Sequence, residues 1–188
     1  HAGFNDFRGV VCTGLEAYLK EHREFESLFR ERKVKVLITG HSLGGAAANL
    51  LGAYLMSDEC QVQIVEGSKK LKIDPEDLFV YTYACPRTID VDKNSVPNTA
   101  ECFNIFNIVI DEDPVANAPL AGWWHRFGRT YVFATNYEAR NPGDKLYKLI
   151  LQHRMDNYIW AVIKAEPIMD ANTRMERWHD VVISDDPR

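Results

Sequence analysis

The sequence predicts an α/β fold, a mainly parallel central sheet with helices on both faces. Strand-like runs rich in β-branched residues alternate along the chain with stretches of helical periodicity. The residue types suited to chemistry fall where such sheets place it, at the carboxyl ends of the strands. A length of 188 residues with 46% apolar content suits one domain with a sizeable core, and residues 1–188 are read as a single domain.

The elements follow in order. Over residues 4–32, Phe7, Val11, Leu15, Tyr18 and Leu19 recur at spacings of three and four, with charged residues on the other face, which predicts a helix. A basic turn over 30–33 leads to residues 34–39 (VKVLIT), a buried strand. Residues 40–45 form a glycine-rich turn, and 46–56 a helix that small residues allow to pack closely. Residues 57–77 are a polar excursion with Gly67 and Pro75. A second strand over 78–84 stops at Pro86, and residues 87–100 form a loop. The third strand, 103–110, ends in the acidic turn Asp111-Glu112-Asp113-Pro114. A short fourth strand spans 130–134, a loop follows at 136–144, and 146–165 is helical with a break near His153. The polar tail is expected to fray. There are no repeats and no low-complexity tracts.

Composition excludes several classes. The 22 basic residues are scattered and outnumbered by 27 acidic ones, for a net charge of -5, which gives no nucleic-acid footprint. No apolar run approaches the roughly 20 residues of a membrane span. Cys12, Cys60, Cys85 and Cys102 contain no close CxxC pair, so a zinc site is not expected, and most are read as buried thiols. His153 and Asp156 are metal-ligand types without a third partner, and no cofactor is expected. The chain opens at His1 with no charged-then-apolar signal segment before it, so the start reads as a cut and the compartment is left open. Oligomeric state is not legible.

One run stands out. Gly40-His41-Ser42-Leu43-Gly44 fits G-x-S-x-G between a predicted strand and a predicted helix. A turn that sharp strains the serine backbone, and side chains at either glycine are expected to collide with neighbouring backbone. The helix that follows directs unbonded N–H groups at the serine, and the amide of Leu43 can stabilise an oxyanion. No Lys-Ser/Thr pair follows the glycines, which removes a phosphate-binding loop. Ser42 is therefore the candidate nucleophile.

A serine hydroxyl needs a base, and the base needs a carboxylate to fix its tautomer. Asp74, Glu76 and Asp77 precede a strand, the wrong end. Asp111, Glu112 and Asp113 follow one, and spacing alone does not separate them. His125, His153 and His179 lie downstream and are all open as the base. His41 is read as shaping the turn. Trp123 and Trp124 are read as core packing beside Phe127 rather than as an exposed lipid anchor.

These residues together resemble the class 3 lipases, the fungal-lipase-like branch of the α/β-hydrolases, from His1 to about Tyr158. His1-Ala2-Gly3-Phe4 is similar to the family's H-x-G-F helix opening. Residues 36–46 resemble its strand plus G-H-S-L-G-G-A, the most specific element. Residues 80–87 resemble its strand ending in Pro-Arg. Asp113-Pro114-Val115 with Pro119 is similar to the D-x-V-P…P acid loop, residues 124–128 to a structural H-x-G stretch, and His153 with Tyr158 to the H-x4-Y element that carries the base. The resemblance implies an α/β-hydrolase-like fold and a triad of Ser42, Asp113 and His153.

It also implies a serine carboxylic ester hydrolase that cleaves acyl esters of lipids, acylglycerols or phospholipids, through an acyl-enzyme, with contact at a lipid–water interface. Three features depart from the family. Ala116 stands where Pro is usual, Thr88-Ile89-Asp90 replaces Val-Gly, and the family's segment before H-x-G-F is absent. That segment carries early strands, a lid and a second oxyanion donor, and removing one such donor costs about 100–1,000-fold in turnover. The alternatives are a catalytically incomplete, hydrolase-derived binding or regulatory module and an acyltransferase on the same triad.

Overall fold

Val11, Cys12, Leu15 and Leu19 make the buried stripe of α1 (Ala2–Glu21) and join the main core, Leu19 being buried outright. Phe7 and Tyr18, expected on that stripe, are exposed at 38% and 50%. Tyr18 sits on the shoulder of the stripe, where its ring packs on His22 and Phe25. The single helix expected over residues 4–32 is interrupted at 22–23, and α2 (Glu24–Arg30) starts afresh. Glu24 and Glu26 fall in its first turn, where the helix dipole favours carboxylates. In this computed structural model the described residues are 2–63, 71, 73–90, 102–119, 124–134, 150–165 and 181–184. The loop read at 136–144, together with His1, Trp123 and His179, lies outside them.

Strand β1 (Val36–His41) runs through Gly40 and His41, and helix α3 (Leu43–Met56) begins immediately after Ser42. The six-residue turn read over 40–45 is thus a single residue. A 3-10 turn (Pro75–Asp77) leads into β2 (Leu78–Tyr83), and β4 (Ile105–Ile110) and β6 (Arg129–Phe133) follow. Between them, β3 (Ile89–Asp90) and β5 (Trp124–His125) form a small antiparallel ribbon, where a loop was expected over 87–100. Helix α4 (Met155–Ala165) follows a helical turn at 150–152, and the expected break falls at His153 and Arg154.

The main sheet has the order β1-β2-β4-β6-β7, where β7 is Val181–Ser184. The first four strands are parallel, with Val36 beside Leu78, Val80 beside Ile105 and Ile108 beside Tyr131. β7 runs antiparallel to β6, so its backbone adds a strand where the tail was expected to fray. Alternation along β4 divides its side chains between two faces. Ile105 joins the cluster under α1 and α3 with Leu78, Val80, Leu51 and Leu55. Ile108 and Ile110 join Tyr158, Met155 and Val162 under α4. Helices therefore cover both faces, and each fully buried Leu, Ile or Val contributes roughly 1.5–3 kcal/mol.

Helix α3 lies close to the sheet because its inner face is small. A Cβ on Gly52 would come within 2.5 Å of Val80 Cγ2. A buried polar cluster fixes this contact. Asn49 Nδ2 donates to Asn107 Oδ1 (3.0 Å) and to the Phe127 carbonyl (2.9 Å), and Asn49 Oδ1 accepts from Phe127 N (3.1 Å) and Thr88 Oγ1 (3.2 Å). Thr82 Oγ1 donates to Asn107 Oδ1 (2.7 Å), and Asn107 Nδ2 donates to the carbonyls of Phe127 and Arg129. At the other end of the sheet, Arg32 Nε (2.8 Å) and Lys35 Nζ (2.5 Å) bind the carboxylate of Asp77 and tie the start of β1 to that of β2. These bonds hold the Asp77 carboxyl below its ordinary pKa.

None of the four cysteines is in a disulfide; Cys60, Cys85 and Cys102 are buried and Cys12 is half-buried. Among the described residues no helix is long and apolar enough to cross a membrane, and no cluster of three or more His, Cys, Asp or Glu is placed to hold a metal ion.

Candidate active site

Ser42 is the hinge between β1 and α3. Its backbone takes φ 57° and ψ −122°, which L-residues rarely adopt and which costs of order 1–3 kcal/mol. Neighbouring hydrogen bonds hold it there: Ser42 N donates to the Tyr83 carbonyl (3.0 Å), and Ala46 N to the Ser42 carbonyl (3.0 Å). The steric requirement for glycine differs from the expectation. A Cβ at Gly40 would lie 2.2 Å from the Gly44 carbonyl oxygen, and one at Gly45 would lie 3.2 Å from the carbonyls of Gly40 and Tyr83. A Cβ at Gly44 would meet nothing within 4 Å. The crowded pair is Gly40 and Gly45, and the second glycine of G-x-S-x-G faces open space.

Asp113 lies three residues past the end of β4, fully buried. Its carboxylate is saturated with donors. Val115 N (2.8 Å) and Ala116 N (3.3 Å) donate to Oδ1, and the Tyr158 hydroxyl donates to Oδ2 at 2.6 Å. His153 Nδ1 lies 3.1 and 3.0 Å from the two oxygens. A carboxylate only accepts, so Nδ1 carries the proton and Nε2 is left as the acceptor. That nitrogen faces Ser42 Oγ at 2.8 Å. The structure thus brings Ser42, His153 and Asp113, separated by 111 and 40 positions in the chain, into one hydrogen-bonded line.

The loop that carries Asp113 is gripped from both sides. Arg126 Nε donates to the Cys85 carbonyl (2.7 Å) and its Nη2 to the Ala116 carbonyl. Arg87 Nη1 donates to the carbonyls of Asn117 and Pro119. Burial pulls both guanidinium pKa values down from their ordinary value, though a group titrating so high stays a cation at neutral pH. Gln152 Nε2 reaches Glu112 Oε2 (3.1 Å) alongside the His153–Asp113 pair. Burial, reinforced by the Asp113 carboxylate, pushes the Tyr158 phenol far up, so Tyr158 is a fixed neutral donor. It also accepts from Ile110 N at 3.1 Å.

The other sequence candidates lie elsewhere. Asp111 is exposed and offers its main-chain carbonyl to Asn117 Nδ2. His125 sits in β5, where its carbonyl accepts from Thr88 N at 2.8 Å. Trp124 is half-buried in the β3–β5 ribbon. Burial pushes the Cys85 thiol up to about 11, so it stays protonated and is no rival nucleophile. Leu43 opens α3, so its N–H has no intrahelical acceptor. Sequence reasoning did not single out Arg87, Arg126 or the donor role of Tyr158. The legible signal was an arginine set among apolar residues, at Pro-Arg and again at Trp-His-Arg-Phe.

A family model described as lipase (class 3) matches residues 1–123. A solved triacylglycerol lipase, described as having a serine protease triad at its catalytic centre, aligns at 24% identity and a TM-score of 0.51, covering 84% of this chain and 57% of that one. The Rhizomucor miehei triacylglyceride lipase aligns over the same shares at 23% identity and a TM-score of 0.51. The Rhizomucor miehei lipase–propeptide complex is 30% identical over 72% of this chain and 39% of its own length, with a TM-score of 0.49. This chain therefore spans from 39% to 57% of the length of these lipases. No curated protein sequence matches it. The sheet order, the helices on both faces and the structural neighbours make the fold α/β-hydrolase-like, and the family match over residues 1–123 shows that the chain belongs to the class 3 lipases.

Proposed function

We propose that this chain carries the nucleophile, acid and base of a serine ester hydrolase acting on acyl esters of lipids, acylglycerols or phospholipids. The observation that carries the reading is the line Ser42 Oγ–His153 Nε2 at 2.8 Å and His153 Nδ1–Asp113 at 3.0 Å. Family membership and the triacylglycerol lipases among the neighbours support the lipid ester class.

In this reading Ser42 Oγ attacks the ester carbonyl while His153 Nε2 takes its proton. The imidazolium is stabilised by Asp113, whose charge is kept in place by the Tyr158 hydroxyl and two backbone N–H groups. The N–H of Leu43, at the positive end of α3, faces the developing oxyanion. His153 returns the proton to the leaving alcohol, and water then cleaves the acyl-enzyme by the same relay.

The test is ester cleavage by the full-length protein and by Ser42→Ala, Asp113→Asn and His153→Ala. Each is expected to lose about 10⁴-fold or more in turnover. A fluorophosphonate probe is expected to label wild type at Ser42. An unlabelled Ser42 would instead favour a binding or regulatory module. Persistence of activity in His153→Ala with loss in His125→Ala would overturn the assignment of the base. Transfer of the acyl group to an added alcohol in preference to water would identify an acyltransferase.

A further inference from the structure

The residue beside the nucleophile is bonded to the base as well. His41 Nε2 lies 2.7 Å from the main-chain carbonyl of His153, and Ser42 Oγ lies 2.8 Å from that residue's ring. Two consecutive residues at the end of β1 therefore hold His153 at two points, backbone and imidazole. A carbonyl only accepts, so His41 Nε2 carries the proton.

The carbonyl that His41 binds is one the local helix does not use. In a continuous α-helix Asn157 N would donate to it. Here Asn157 N donates to the Arg154 carbonyl (3.1 Å), as does Tyr158 N (3.4 Å). His153 thus sits at the break between the turn at 150–152 and α4, where its N–H still donates to the Ile150 carbonyl (3.2 Å) but its own carbonyl has no helical donor. The two imidazoles lie 4.9 Å apart at 41°, and the Tyr158 ring meets His41 edge-on at 6.1 Å.

We propose that His41 is a positioning residue, whose N–H latches the His153 carbonyl and so keeps the His153 ring aimed at Ser42 Oγ. The latch rests on the reading of Ser42 and His153 as nucleophile and base. Without it, the His153 carbonyl has no helical N–H to fix it at the break before α4, and a misplacement near 1 Å can cost about 100-fold in rate.

The experiment uses the full-length protein with His41→Phe, which keeps a ring but removes the donor, and His41→Gln, whose amide nitrogen restores a donor near the Nε2 position. Three readouts are taken: kcat against KM on a soluble ester, the rate of Ser42 labelling by a fluorophosphonate, and amide hydrogen exchange across residues 150–158. His41→Phe is expected to lower kcat and the labelling rate by about 10- to 100-fold with KM unchanged, and to speed exchange around His153. His41→Gln is expected to recover most of both. Wild-type kcat and exchange in His41→Phe would overturn the latch, as would a His41→Gln protein of unchanged melting temperature no better than His41→Phe. Faster exchange in His41→Phe beside a wild-type Ser42 that is never labelled would instead keep the latch and overturn the hydrolase reading.

Discussion

Replacing Tyr158 by Phe tests how the buried Asp113 carboxylate is held. The ring is fully buried, and phenylalanine keeps its shape, so packing is preserved and only the hydroxyl is lost. That hydroxyl makes two bonds, one to Asp113 Oδ2 at 2.6 Å and one from Ile110 N at 3.1 Å. A bond to a charged group contributes about 1.5–3 kcal/mol, and a buried N–H left without its acceptor costs about 1–3 kcal/mol. The expected loss is about 3–5 kcal/mol by urea denaturation, or on the order of 10 °C in melting temperature for a chain of this size. Because the folded state pushes the phenol pKa up, its contribution is present below the ordinary value of 10.0 and lost as pH rises above it. The gap between the two proteins should therefore be flat at lower pH and close at high pH. Asp113 keeps Val115 N, Ala116 N and His153, so ester hydrolysis should fall about tenfold and not vanish. Stability within about 0.5 kcal/mol of wild type would refute the reasoning. So would an activity as low as that of Asp113→Asn.

Other substitutions probe the frame around the site. Gly40→Ala puts a Cβ 2.2 Å from a backbone oxygen and should abolish Ser42 labelling, whereas Gly44→Ala, with open space around it, should fold within about 1 kcal/mol of wild type; thermal melts and probe labelling check both. Gly52→Ala should destabilise by about 1–3 kcal/mol through contact with Val80, and the double variant with Val80→Ala should lose less than the sum of the two single changes, as read by a double-mutant cycle in urea. Asp77→Asn should lower stability at neutral pH. Since the folded state depresses the Asp77 pKa, that difference should persist above 3.8 and close as pH falls through and below it, as followed by acid titration of the melting temperature.

The parts of the fold that periodicity governs were legible. Residues 78–84 and 103–110 read as strands because apolar and β-branched side chains dominate them, and both appear within two residues of those bounds. Boundaries moved at the turn that carries Ser42. β1 extends to His41 and α3 starts at Leu43, because the strained Ser42 lets the chain reverse in one residue, a conformation that propensity does not register. β3, β5 and β7 were not legible, since two residues carry no periodicity and a tail strand depends on a distant partner. In the candidate site, the reading of Ser42 as nucleophile rested on its own neighbours in the chain. The choices of Asp113 over Asp111 and of His153 over His125 came from the family resemblance, because they depend on where chain segments far apart are brought together. The roles of His41, Arg87 and Arg126 were hidden for a related reason: each binds main-chain carbonyls, which every residue has and no sequence pattern marks.

The cluster of Asn49, Asn107, Thr82 and Thr88 bears on precision more than on stability. An apolar interface between α3 and the sheet could be as stable, because leucines tolerate sliding past one another. Amides do not, since each bond has a direction and a length. Moving α3 by one residue is a shift of about 1.5 Å along its axis. That shift would break the bonds from Asn49 to Asn107 and to the Phe127 backbone, and it would carry Ser42, at the head of the same helix, out of reach of His153. The amide cluster acts as an indexing pin. It allows the helix one setting on the sheet, and that setting is the one in which the Ser42 hydroxyl meets His153 Nε2 at 2.8 Å.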